Sequence, residues 1–224
     1  MTTTTDTLLE MYPAGNLFIP VEHGQLEAIL KAPREVRTRG AALVLHPHPL
    51  GGGTMHNKVV FRAAAALNDA GLVTLRLNFR GVGQSTGVHD EGRGELDDAH
   101  AGLDYLAAQY PDEHLLVCGF SFGARVGMEV GLNDGRVSYL ISIGTPLNMT
   151  DFSFLESCRK PLLFVHGERD EFGDVKRLRG LVASLSQKTD VQLIVIPKAG
   201  HFFEGHLDDL KRSIIDWTRE KLSR

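Results

Sequence analysis

The chemistry in this chain starts from a serine between two glycines. Gly119-Phe120-Ser121-Phe122-Gly123 fits the pattern G-x-S-x-G, which places a serine on a sharp turn from strand to helix with its hydroxyl exposed. An apolar run ends at Phe120 and a helical pattern follows, so the context the motif requires is present. A serine hydroxyl is a poor nucleophile near neutral pH and needs a base, which in turn needs an acid to orient it. His201 follows a late apolar run, and Asp170 and Glu168 share the loop after the run before it. Ten histidines compete for the base. Position favours His201, because His206 falls at the start of the last helical pattern and reads as a helix-end residue. Either Asp170 or Glu168 satisfies the pattern of residues for the acid.

Attack by Ser121 on a carbonyl builds negative charge on its oxygen, which preorganised N–H groups stabilise. One expected donor is the amide of Phe122, at the positive end of the helix that begins there. The other is expected from His46-Pro47-His48-Pro49-Leu50-Gly51-Gly52-Gly53. Prolines carry no N–H, so Leu50 is the first candidate after them. His46, His48 and His56 lack the accompanying acidic ligand of a metal site, and no metal is expected. Nor does Gly81-Val82-Gly83-Gln84-Ser85-Thr86-Gly87 open a helix as a nucleotide-binding turn must, so no cofactor is expected. Cys118 lies within a strand pattern and does not hold the turn position.

Elements must carry these groups to one place. Apolar β-branched runs alternate with helical periods, the signature of a mostly parallel sheet covered on both faces. Eight strands are predicted, over 16–22, 25–31, 41–46, 72–79, 114–120, 137–143, 161–166 and 191–196, the first two joined as a hairpin through His23-Gly24. Helices are predicted over 57–70, 95–110, 121–132, 174–187 and 206–222. In the second, Leu96, Ala99, Leu103, Leu106 and Ala107 share a face; in the last, Leu207, Leu210, Ile214 and Trp217 do.

With 224 residues the chain suits one domain over 16–224 after a polar, threonine-rich segment over 1–15. Its net charge of −4, with both signs interspersed, gives no reason to expect nucleic acid. Two cysteines are too few for a disulfide framework. Without a signal-like start or a spanning apolar stretch, a cytoplasmic protein acting on a small molecule, with no membrane partner, is expected.

Over about residues 17–222 the sequence resembles the α/β-hydrolase family. Asn78-Phe79-Arg80-Gly81-Val82-Gly83-Gln84-Ser85 is similar to the turn these enzymes carry after the fourth strand, and 119–123 to their nucleophile elbow. The stretch 46–53 is similar to that of small bacterial carboxylesterase-like members. The resemblance implies an eight-stranded sheet, cofactor-free acyl hydrolysis and a triad of Ser121, Asp170 and His201, with the acid on Asp170. A thioesterase, lactonase or peptidase would use the same residues, and a non-catalytic binding module is the reading from another class. Many members insert a helical lid after the sixth strand, where this chain has only 144–160, so an open site is expected. In that segment Phe152 and Phe154 are candidates for an acyl-pocket wall, set against the commoner role of anchoring the loop.

Overall fold

A computed structural model describes residues 15–33 and 38–223. Most of the polar N-terminal segment expected over 1–15 lies outside the described residues. The expected elements are all present among the described residues, with boundaries that differ by at most two residues and coincide in two strands. The strands are β1 (Gly15–Val21), β2 (Gly24–Lys31), β3 (Ala41–Leu45), β4 (Val73–Leu77), β5 (Leu115–Phe120), β6 (Val137–Ile143), β7 (Leu162–Gly167) and β8 (Val191–Ile196). The helices are α1 (Lys58–Asp69), α2 (Arg93–Gln109), α3 (Phe122–Asn133), α4 (Val175–Leu185) and α5 (Leu207–Leu222).

The sheet runs in the order β1-β2-β4-β3-β5-β6-β7-β8. β1 and β2 form the expected hairpin and β2 pairs antiparallel with β4, while every pair from β4 to β8 is parallel. Strand order reverses around β3, which lies between β4 and β5. In an open α/β sheet that reversal leaves a crevice beyond the strands' carboxyl ends, where ligands bind. The loops after β3 and β5 meet there.

Alternation along the strands divides the core into two layers. On β5, Leu115 and Val117 join the layer under α2, α3 and α4; Leu116, Cys118 and Phe120 join the layer under α1 and α5. Ala99, Leu103 and Leu106 of α2 are buried with Leu96 and Ala107 beside them, and Leu210, Ile214 and Trp217 of α5 are buried with Leu207 at the margin. Between β6 and β7 the chain makes only a short 3-10 turn, Ser153–Ser157, so no lid stands over the crevice. No helix among the described residues is long and apolar enough to cross a membrane.

Two sequence features that suggested other chemistry serve the frame. Asn78 accepts from the Met55 amide at 2.8 Å and donates to Glu27 at 2.8 Å, and Arg80 forks onto buried Asp98 at 3.0 and 2.8 Å. These bonds tie 78–85 to β2 and α2. His46 is fully buried; its Nδ1 is 2.6 Å from the Pro47 carbonyl, and its Nε2 accepts the Phe79 amide at 3.0 Å. Those partners set a neutral ring with the proton on Nδ1.

Burial pushes the pKa of His46 down to about 4. The unfolded chain, with an ordinary histidine value near 6.5, therefore binds more protons between those limits, and stability falls as pH drops through that window. His166, also lowered chiefly by burial, acts in the same direction. For His46 the full effect is about 3 kcal/mol. Urea unfolding at pH 7 and pH 4 should show the wild type losing more stability than His46→Gln; equal losses would contradict this account.

Candidate active site

Ser121 sits where β5 becomes α3, with φ 56° and ψ −116°. A non-glycine residue at positive φ is strained and persists only where its surroundings hold it. Its neighbours supply the hold. A Cβ on Gly119 would overlap the carbonyl of Gly123, and one on Gly123 would come within 2.5 Å of the His46 oxygen and 2.6 Å of the Leu45 oxygen. Backbone cannot move aside there, so strand and helix close on each other only with glycine at both positions. The Ser121 amide donates to the Ile143 carbonyl at 2.9 Å, which anchors the turn to β6.

Three residues from three loops converge. His201 Nε2 is 2.9 Å from Ser121 Oγ, and His201 Nδ1 is 2.8 Å from Asp170 Oδ2 and 3.0 Å from Oδ1. Asp170 and His201 are buried. Asp170 Oδ1 also accepts the amides of Phe172 at 2.9 Å and Gly173 at 3.2 Å, so the carboxylate is fixed before it meets the imidazole. Glu168, the alternative acid, is exposed and accepts the Lys198 amide at 2.8 Å. Asp170 is the carboxylate in contact with His201. His206 lies at the N-cap of α5, 3.3 Å from Asp209, as a helix-end residue.

Several contributors were not singled out in the sequence. Phe120, Phe172 and Phe202 surround His201 with ring centroids at 4.9, 4.6 and 5.1 Å. Gly144 makes room, since a Cβ there would lie 2.9 Å from Phe120 and 3.2 Å from His201. Buried His166 bonds the Gly173 carbonyl through Nε2 at 2.7 Å and so holds the loop that presents Asp170. The sequence offers only the glycines at 144 and 173 as hints, and neither points to a partner.

Beside Ser121 opens a cleft of about 620 Å³, walled by His48, His89, Leu96, Phe122, Arg125 and Phe172 among others. Two expectations fail there. Phe152 is buried in the core, stacked on Phe154 at 5.7 Å, and Phe154 lies under the Arg125 guanidinium at 4.4 Å. They support the cleft from behind and do not wall it. Leu50 also differs from its expected role. Its side chain is 78% exposed, and its amide donates to Nδ1 of His48 at 3.2 Å as the start of a 3-10 turn. That N–H is already used. Phe122 stands at the first position of α3, where amides lack partners within the helix.

Cys118 is fully buried and burial pushes its thiol up, away from the thiolate a nucleophile requires. Among the described residues no cluster of three or more metal-ligating side chains occurs.

Comparison with known proteins places this geometry. Residues 40–214 match the model of an alpha/beta hydrolase domain. The chain belongs to the α/β-hydrolase family. An uncharacterized protein of Rickettsia prowazekii is 39% identical over 183 residues, 79% of this chain and 77% of that one. The structure of an α/β serine hydrolase homologue from Coxiella burnetii is 36% identical, covering 90% of this chain and 95% of its own, with a TM-score of 0.83. A Xanthomonas campestris structure, described as a serine hydrolase without lid, is 34% identical over 94% of this chain and 96% of its own, with a TM-score of 0.85.

A fluorophosphonate should label Ser121 alone, because only a serine beside a base attacks such reagents readily. Asp170→Asn should slow labelling by about 10³ to 10⁴, the scale on which other triads depend on their acid, while Glu168→Gln should stay close to wild type. Mass spectrometry of intact and digested protein reads both. A larger defect in Glu168→Gln would redraw the site.

Proposed function

We propose that this α/β hydrolase cleaves carboxylic esters of small or short-acyl substrates through an acyl-enzyme, with Ser121 as nucleophile, His201 as general base and Asp170 as the supporting acid. The observation that carries the reading is the continuous hydrogen-bonded line from Asp170 through His201 to Ser121 Oγ, ending in an open cleft. As Oγ attacks the carbonyl carbon, His201 Nε2 takes the hydroxyl proton and Asp170 stabilises the imidazolium. The tetrahedral species collapses as the same proton passes to the leaving alkoxide. Water, deprotonated by His201, then attacks the acyl-enzyme and releases the acid.

In this reading the oxyanion is held by the Phe122 amide and one amide from the loop after β3. Pro47 and Pro49 have no N–H, Leu50 donates to the His48 ring, and Gly51, Gly52 and Gly53 donate to the carbonyls of His48, Pro49 and His48. His48, which lines the cleft, supplies the remaining amide of that loop. This replaces Leu50 as the second donor. A short β6–β7 connection favours small soluble substrates over aggregated lipid.

Ser121→Ala should lower turnover of a short p-nitrophenyl ester by on the order of 10⁶, measured against a circular dichroism control for folding. Activity that survives the substitution would exclude Ser121 as nucleophile. Across an acyl series the rate should peak at short chains, and faster hydrolysis of emulsified long-chain triglyceride would overturn the assignment of substrate size.

A further inference from the structure

The cleft wall beside Ser121 carries two histidines that the catalytic line does not use. His89 and His48 have ring centroids 4.9 Å apart, and both pack against Phe122, at 5.6 and 5.0 Å. Each ring has one nitrogen already assigned. Nδ1 of His89 lies 2.7 Å from Oε1 of Glu95. Glu95 is fully buried at the start of α2, and its oxygens also accept the amides of Asp90 at 3.0 Å and Gly92 at 2.8 Å. Burial opposes its ionisation, but these hydrogen bonds outweigh it and hold the carboxyl below its ordinary range. An ionised carboxylate only accepts, so the proton of a neutral His89 sits on Nδ1 and its Nε2 is an acceptor. His48 is the opposite case. Its Nδ1 accepts the Leu50 amide, so its proton sits on Nε2, a donor.

We infer that His89 and His48 form a polar subsite that binds a substrate hydroxyl close to the scissile carbonyl, His89 Nε2 accepting the hydroxyl proton and His48 Nε2–H donating to its oxygen. A hydroxyl is both donor and acceptor and matches the pair. An alkyl group there displaces water from the His89 acceptor, on a side chain only 10% exposed, without replacing its hydrogen bond, and is disfavoured, while the exposed His48 loses less. Glu95 does for His89 what Asp170 does for His201, fixing the ring by a buried carboxylate. Here, however, no nucleophile stands on the other nitrogen, and the group is suited to recognition. The inference rests on the ester-hydrolase reading and names its substrate class: hydroxylated small esters.

Four esters test it, with the hydroxyl on either side of the bond. Methyl 2-hydroxybutanoate is compared with methyl butanoate, and 2-hydroxyethyl butanoate with propyl butanoate. In at least one pair the wild type should favour the hydroxylated member in kcat/KM by about tenfold, the scale of one or two good hydrogen bonds. His89→Phe, which keeps an aromatic ring against Phe122, should reduce that ratio to within about twofold; His89→Gln, which retains an acceptor, should restore part of it. Hydrolysis of all four with ratios near one, or a ratio that His89→Phe leaves unchanged, overturns the subsite and leaves the esterase reading intact. Failure to hydrolyse any of them overturns both. Nitrogen-15 NMR of the wild type gives a readout independent of turnover: a His89 proton found on Nε2 would reverse its role and sink the inference.

Discussion

The molecule is organised around one backbone constraint, the turn at Ser121, where a strand becomes a helix within a single residue held at φ 56°. That conformation exists because no side chain occupies 119 or 123. The consequences spread outward. α3 begins at the sheet's carboxyl edge, so its unpaired amides and positive end face the place where charge would develop. Gly127 and Gly131 continue the bare stripe along α3, and side chains there would press into Val117 and Leu140. The helix therefore lies close on the sheet, and its outer face, from Phe122 to Arg125, becomes a wall of the cleft.

A second requirement is that His201 meet Ser121 and Asp170 at once. The protein achieves this by fixing the carboxylate first, with two amide donors on Asp170 and His166 locking the carbonyl of Gly173. The imidazole then enters a cage of Phe120, Phe172 and Phe202. Such a setting excludes water and strengthens each charge interaction relative to solvent. Few rotamers remain to the ring, so its geometry is set before any ligand arrives.

Much of this arrangement was readable from sequence because it depends on local or periodic signals. Apolar β-branched runs and helical periods gave the eight strands and five α-helices of the described residues, and the glycines of the elbow carried their own steric reason. Chain order pointed to the loops after β7 and β8. What failed depended on how loops fold and which partner each group meets there, which no periodic signal carries. Phe152 differs from a cleft residue only by which way its loop folds, and the fold turns it into the core. Leu50 has an amide like any other, and nothing local reveals that the His48 ring consumes it. Residue type alone leaves Glu168 as eligible as Asp170, which the resemblance favoured, and it is the contact of Asp170 with His201 that separates them.

The two cysteines have a consequence of a different kind. Cys118 and Cys158 are both free and both buried, one in the central strand that leads to Ser121, the other just after the 3-10 turn between β6 and β7. An alkylating reagent reaches either sulfur only when the surrounding structure opens. The chain thus contains two internal clocks: Cys118 timed by opening of the central sheet, and Cys158 by opening of the connection that backs the cleft. Their relative alkylation rates distinguish local breathing beside the cleft from loss of the whole fold.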